Sequence, residues 1–152
     1  MESQSIERRL QILEDVEQIK KLKARYCAYC DNNYDADGIA SLFTKDGVWD
    51  GDMRGRYEGQ EAIRRFFKGA SQRVTFAIHN VTNPIIEVDA ETAHGSWYLF
   101  QACTEREKAK WVSGRYEEDY IKINGHWYFK NLSVRFSFWT PYDQGWVKER
   151  YT

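Results

Sequence analysis

The chain has no apolar run approaching the roughly 20 residues that a membrane-spanning helix requires. Its first residues, MESQSIERR, are too polar for the apolar core of a signal peptide. Together these absences lead to the expectation of a cytoplasmic protein with no membrane partner. A charge surplus is missing too: 22 basic residues stand interspersed among 23 acidic ones, for a formal net charge of −1. A nucleic-acid footprint needs a local excess of Lys and Arg that this pattern does not supply, so no nucleic-acid partner is expected. No Pro/Gly/Ser-rich linker or shift in composition divides the sequence, which predicts one domain over residues 1–152.

Cysteine is scarce and odd in number. Cys27, Cys30 and Cys103 cannot all pair with one another, which fits a reducing compartment. Cys27-Ala-Tyr-Cys30 has the spacing of a redox or zinc motif, but no strand precedes it and no second ligand pair follows, so both thiols are read as small buried groups on one helical turn. The loop glycines Gly51, Gly55 and Gly59 match neither a phosphate-cradling loop nor a dinucleotide fingerprint, and are read as turns. Hydride transfer is disfavoured for want of a nucleotide motif. One candidate histidine among scattered carboxylates makes a poor transition-metal shell. No metal and no cofactor are therefore expected.

What is present in quantity is aromatic bulk, 16% of the chain with 6 Trp and 10 Tyr, enough to line a pocket as well as fill a core. From about Ser5 to Cys30 apolar residues recur at three- and four-residue steps, from Ile6, Leu10 and Leu13 to Leu22 and Tyr26, which predicts a long amphipathic helix. Its last turn carries Tyr26, Cys27, Cys30 and Asp31 within an arc of roughly 140°. One face thus holds a phenol and a carboxylate. Asp31-Asn32-Asn33 is also good turn chemistry, so Asp31 has a plain structural reading as well. Asp35 to Phe43 reads as a short helix capped by Asp35, Asp46-Gly47 as a turn, Val48-Trp49-Asp50 as a brief strand, and Glu61 to Lys68 as a helix burying Ile63, Phe66 and Phe67. On that helix Arg64, Arg65 and Lys68 form a solvated face.

Thr75 to Val88, TFAIHNVTNPIIEV, places one imidazole inside an apolar, β-rich run. Alternation puts Ala77, His79 and Val81 on one face and Phe76, Ile78 and Asn80 on the other. Pro84 cannot donate to a sheet ladder and marks a bulge or an edge where the strand bends. His79 is either a core histidine with both nitrogens satisfied or a working group. Thr92 to Thr104 follows, with Trp97, Leu99 and Gln101 on one face, then Lys110 to Ile123, alternating Arg115, Glu117 and Asp119 against Gly114, Tyr116 and Tyr120. Asn124-Gly125 is a two-residue hairpin signal joining that strand to one beginning at His126, itself expected to face solvent. Helices first and a long antiparallel meander after them make an α+β layout, N-terminal helices packed on a strongly curved sheet that encloses a conical pocket.

The segments KARYCAYCDNNYDADGIASLFTKDGVWDG, HNVTNPIIEVDAETAHGSWYL and GRYEEDYIKINGHWYFKNLSVRF resemble the SnoaL-like branch of the nuclear transport factor 2-like (cystatin-like) superfamily, within it most of all the bile-acid 7α-dehydratase-like proteins. The resemblance spans nearly the whole chain. It implies a dehydratase-like lyase or isomerase whose working groups are Tyr26, Asp31 and His79. It also implies that Asp50 replaces a first-strand tyrosine and Gln101 a later aspartate. Trp49, Trp97, Leu99 and Tyr116 join Asp50 and Gln101 as candidate substrate-binding residues.

A carboxylate accepting a hydrogen bond from the His79 Nδ1–H would fix the tautomer and leave Nε2 as a base, while Tyr26 could hydrogen-bond a carbonyl or departing oxygen. Such a set suits proton abstraction next to the carbonyl of a hydrophobic, cyclic or polycyclic substrate, with no cofactor. Two other readings stay open: a non-catalytic module that binds a hydrophobic small molecule, and a small structural subunit like that of ring-hydroxylating dioxygenases. Aromatics on the outer face of the meander, and the family resemblance, lead to the expectation of a homodimer or homotrimer.

Overall fold

Ser5 starts the first helix: its hydroxyl accepts the Arg8 N–H at 3.2 Å, and α1 then runs Ile6–Asp31. This computed structural model describes residues 5–152, so the start of the segment read above for a signal peptide lies outside the described residues. The apolar stripe of α1 is covered only over its second half. Ile19, Leu22, Tyr26 and Cys30 are buried, whereas Ile6, Leu10 and Leu13 are 77, 66 and 54% exposed in the order Ile6, Leu13, Leu10. Asp35 accepts the Gly38 N–H at 3.0 Å and caps α2, Ala36–Ser41.

Phe43, expected to close that helix, instead opens strand β1, Phe43–Asp50. Asp46-Gly47 is not a turn between elements but part of this strand, and a register shift lies between Phe43 and Val48. A 3-10 turn at Asp52–Arg54 leads to the short strand β2, Arg56–Glu58, and to α3, Gln60–Arg73, longer at both ends than the expected helix. The meander follows as β3 (Val74–Asp89), β4 (Thr92–Glu105), β5 (Lys108–Ile123) and β6 (His126–Pro141), with a last short helix α4 at Gly145–Lys148. The six strands form one sheet in the order β2-β1-β6-β5-β4-β3. All pairings are antiparallel except that of β1 with β6, which is parallel.

The bends that curl this sheet are local. On β3 the register shifts between Thr82 and Ile85, around Asn83 at φ 54° and Pro84, so the proline sits at a bulge on an edge strand, where its missing N–H costs least. On β5 the shift falls between Ser113 and Gly114, where a Cβ would lie 2.5 Å from the Arg135 carbonyl oxygen. Asn124 and Gly125, at φ 50° and 79°, make the tight hairpin from β5 to β6.

Polar groups pin α1 into the concave face. Asp15, 2% exposed, accepts from Trp127 Nε1 at 2.9 Å and pairs with Lys122 at 2.7 Å. Lys23 and Glu118 form a fully buried ion pair, and Lys23 Nζ sits 3.2 Å from the centre of the Tyr116 ring. Glu118 also accepts from the Tyr120 hydroxyl, which in turn accepts from Trp97 Nε1 at 3.1 Å. Around these groups Phe129 packs against Tyr26, Phe43 and Tyr120 with ring centres 5.2–5.7 Å apart.

Candidate active site

Between α1, α3 and the open end of the sheet lies a cavity of about 50 Å³. It is a narrow chamber, crowded by aromatic side chains. Its wall includes Tyr26, Trp49, His79, Leu99, Gln101 and Tyr116, together with Tyr34, Phe66, Phe67 and Trp139. Alternation along each strand brings these residues in: His79 with Ala77 on β3, Leu99 with Gln101 on β4, Trp49 on β1.

His79 is held at three points. Its Nδ1 lies 2.6 Å from Asp31 Oδ1, and its backbone N–H donates to Oδ1 at 3.0 Å and Oδ2 at 3.2 Å of the same carboxylate. A carboxylate oxygen accepts, so in the neutral imidazole this contact puts the proton on Nδ1 and leaves the lone pair on Nε2. The Tyr34 ring meets the imidazole edge-on, with centres 6.1 Å apart. The His79 side chain is 6% exposed and that of Asp31 30%, so the carboxylate stands behind the base at the rim rather than in the chamber itself. Asp31 has this position because it is the last residue of α1, where the helix meets β3.

Tyr26 is 2% exposed, and its oxygen accepts from Trp49 Nε1 at 2.9 Å. Burial pushes the phenol well above its usual range, so Tyr26 stays a neutral donor. The same cause raises Tyr34 and Tyr116. The Gln101 side chain is buried and its amide nitrogen has no hydrogen-bond partner among the described residues.

Two candidates lie elsewhere. Asp50 follows Trp49 on β1, so the pleat turns it to the other face of the sheet. There Arg135 grips both its oxygens at 3.0 and 2.8 Å, and this hydrogen bonding holds its carboxyl below the usual range. Trp97 shares the inward face of Leu99 but sits further along the cone, tied to Tyr120 and away from the cavity wall. The three cysteines are buried and unpaired, and burial raises the Cys27 and Cys103 thiols to about 11, which leaves them protonated and poor nucleophiles.

The model of the SnoaL-like domain matches residues 11–133, most of the chain and every residue of the chamber except those on the end of β6. The chain belongs to the SnoaL-like domain family. No curated protein matches it. Among solved structures, this SnoaL-like domain is similar to Rv3472 of Mycobacterium tuberculosis, a protein of unknown function, at 26% identity over 83% of this chain and 73% of that one, with a TM-score of 0.75. A scytalone dehydratase-like protein of Novosphingobium aromaticivorans is 20% identical over 86% and 89% of the two chains, TM-score 0.78. The hexachlorocyclohexane dehydrochlorinase LinA-type3 of Novosphingobium barchaimii is 23% identical over 85% and 90%, TM-score 0.77. The last two likenesses establish the shared fold. The cystatin-like cone expected from the sequence is the fold observed.

The polar residues that sequence reasoning passed over are Tyr34, Arg54 and Arg73, all in the chamber wall. Arg54 sits in a glycine-bounded loop and Arg73 in the last turn of α3, beyond the expected end of that helix. No local pattern marks either one. They face inward because Glu105, 4% exposed on β4, draws them in: Arg54 Nη1 lies 3.0 Å and Arg73 Nε 3.2 Å from Glu105 Oε1.

Proposed function

We propose that this SnoaL-like domain is a cofactor-independent lyase or isomerase that removes a proton next to the carbonyl of a hydrophobic cyclic substrate. The observation that carries the reading is the 2.6 Å bond between His79 Nδ1 and Asp31, which leaves Nε2 as the free ring nitrogen of a residue that lines an apolar chamber. His79 Nε2 takes the proton from the α-carbon, and the electron pair left behind moves onto the carbonyl oxygen. The Tyr26 hydroxyl, polarised by the Trp49 N–H at its own oxygen, donates to that oxyanion. Asp31 stabilises the imidazolium that has formed. The enolate then collapses in one of two ways: a β-substituent leaves with its bonding pair as a double bond forms, or the imidazolium returns the proton to another carbon. Gln101 cannot titrate, so it serves to hold substrate oxygen or nitrogen, with Trp49, Leu99 and Tyr116 packing the ring.

The test is solvent exchange. Cyclic ketones are incubated with the protein in heavy water, and α-deuteration is followed by NMR. His79-dependent deuteration is the expected result. Ligands that bind and raise the melting temperature without exchanging a proton would establish a binding module instead.

In the same reading the protein works as a homodimer or homotrimer in a reducing compartment, which the three unpaired thiols suit. Phe76, Ile78, Tyr98 and Phe100 cluster on the outer face of β3 and β4 at 45–51% exposure, an apolar surface that a second copy would cover. Light scattering at micromolar concentration should return two or three times the 18.0 kDa chain mass, and a monomeric mass would overturn this.

A further inference from the structure

Outside the narrow chamber lies a wider vestibule of about 610 Å³, open to solvent, and Arg54, Phe66 and Arg73 line both. These three side chains are the partition between the two. The vestibule adds Arg65, and no acidic side chain lines it. Arg65 forms no ion pair among the described residues. The carboxylate behind this wall, Glu105, is already shared. It pairs with Arg54 at 3.0 Å, Arg73 at 3.2 Å and Lys110 at 3.1 Å, and accepts from Trp139 Nε1 at 2.9 Å. One negative charge thus faces three positive ones in a half-dry wall.

Two donors there are unused. Arg54 Nε and the Gln101 amide nitrogen are buried without a hydrogen-bond partner among the described residues. The Arg54 guanidinium lies over the Trp139 ring, its carbon 4.0 Å from the ring centre, and is tied to Glu105, so its position is set before any ligand arrives. Buried donors are costly to keep unpartnered, and Arg65 stands exposed beside them with no counter-charge; the group that would answer both is an anion with planar or branched oxygens, which a guanidinium grips in two places.

We infer that the ligand of this site is a hydrophobic organic anion: its apolar body enters the chamber past Phe66, and its oxyanion, a carboxylate or a phosphate ester, rests on Arg54, Arg65 and Arg73. This names the substrate class for the reaction proposed above and rests on that reading for the choice of cavity.

The test is calorimetric titration of the full chain with naphthoate, naphthyl phosphate, the neutral naphthamide and inorganic phosphate. At least one of the two naphthyl anions should bind about tenfold or more tightly than naphthamide, the worth of one charge-assisted hydrogen bond. Whichever is tighter identifies the oxyanion. Arg65→Gln removes a side chain that holds nothing else in place and should shrink the preference at least about threefold with naphthamide affinity kept. Arg73→Gln, checked for its fold by circular dichroism, should do the same. Equal affinity for anion and amide, a preference that survives both substitutions, binding of inorganic phosphate alone, or no binding at all overturns the inference. The titrations are repeated on His79→Asn. A preference that persists while deuteration is absent in both proteins sinks the catalytic reading and leaves this one standing. Exchange on neutral ketones with no preference for anions does the reverse.

Discussion

His79 and Asp31 are 48 residues apart in sequence and form one unit in space. Because Asp31 bonds both the ring and the backbone N–H of His79, its loss disturbs the orientation of the base as well as its charge balance. His79→Asn and Asp31→Asn are each expected to lower kcat/KM by about 10²–10⁴-fold, and the double variant should be little worse than His79→Asn alone. Multiplying losses in steady-state kinetics would mean that the two act separately. At the alkaline end, burial keeps the Tyr26, Tyr34 and Tyr116 phenols protonated well beyond their usual range. The pH–rate profile should therefore stay level past pH ~10, where free tyrosine titrates. Asp50→Asn should leave the shape of that profile unchanged, since Asp50 answers to Arg135 on the far face of β1.

At the scale of elements, the contact of α1 with β5 rests on a buried charge. Lys23 and Glu118 are fully enclosed, with the Tyr116 ring against the ammonium and the Tyr120 hydroxyl on the carboxylate. Removing one partner strands the other, so Lys23→Met should cost about 3–5 kcal/mol in urea denaturation. Lys23→Met combined with Glu118→Gln should recover part of that, because an amide needs no counter-charge. Edge strand β3 shows the opposite economy. Its bend at Asn83-Pro84 leaves the proline nitrogen without an obligation to the ladder.

For the molecule as a whole, carboxylates that brace the cone make it sensitive to acid. Burial works against the charge of Glu105, yet Arg54 and Lys110 outweigh it and its pKa ends below the ordinary value. Asp15 is lowered in the same way, burial being overcome by Lys122 and Trp127. A depressed folded-state pKa stabilises the fold above the unfolded value and is lost as pH falls through the folded one. The melting temperature should hold at neutral pH and drop below pH ~4. Glu105→Gln should flatten that drop while lowering stability at pH 7, as thermal melts across pH would show. The Arg54–Arg73–Glu105 wall is thus both a brace of the cone and the partition of its cavity.

Periodicity and turn chemistry determined most of the elements: the 3.6-residue stripe of α1, the two-residue alternation that set His79, Leu99 and Gln101 inward, and the Asn124-Gly125 hairpin all act over a few neighbouring residues, so local sequence suffices for them. The motif match likewise fixed the family from the chain alone. Tertiary structure decided what lies across distance. Asp50 looked inward by analogy, but β1 pairs in parallel with β6 through a bulge, and the pleat that buries Trp49 turns Asp50 away. Ile6, Leu10 and Leu13 continue the helical stripe yet stay exposed, because a periodic face is buried only where another element reaches it. Arg54 and Arg73 carry no local signal: they face the chamber because a buried glutamate on a distant strand attracts them, and such attraction depends on where the fold brings charges together.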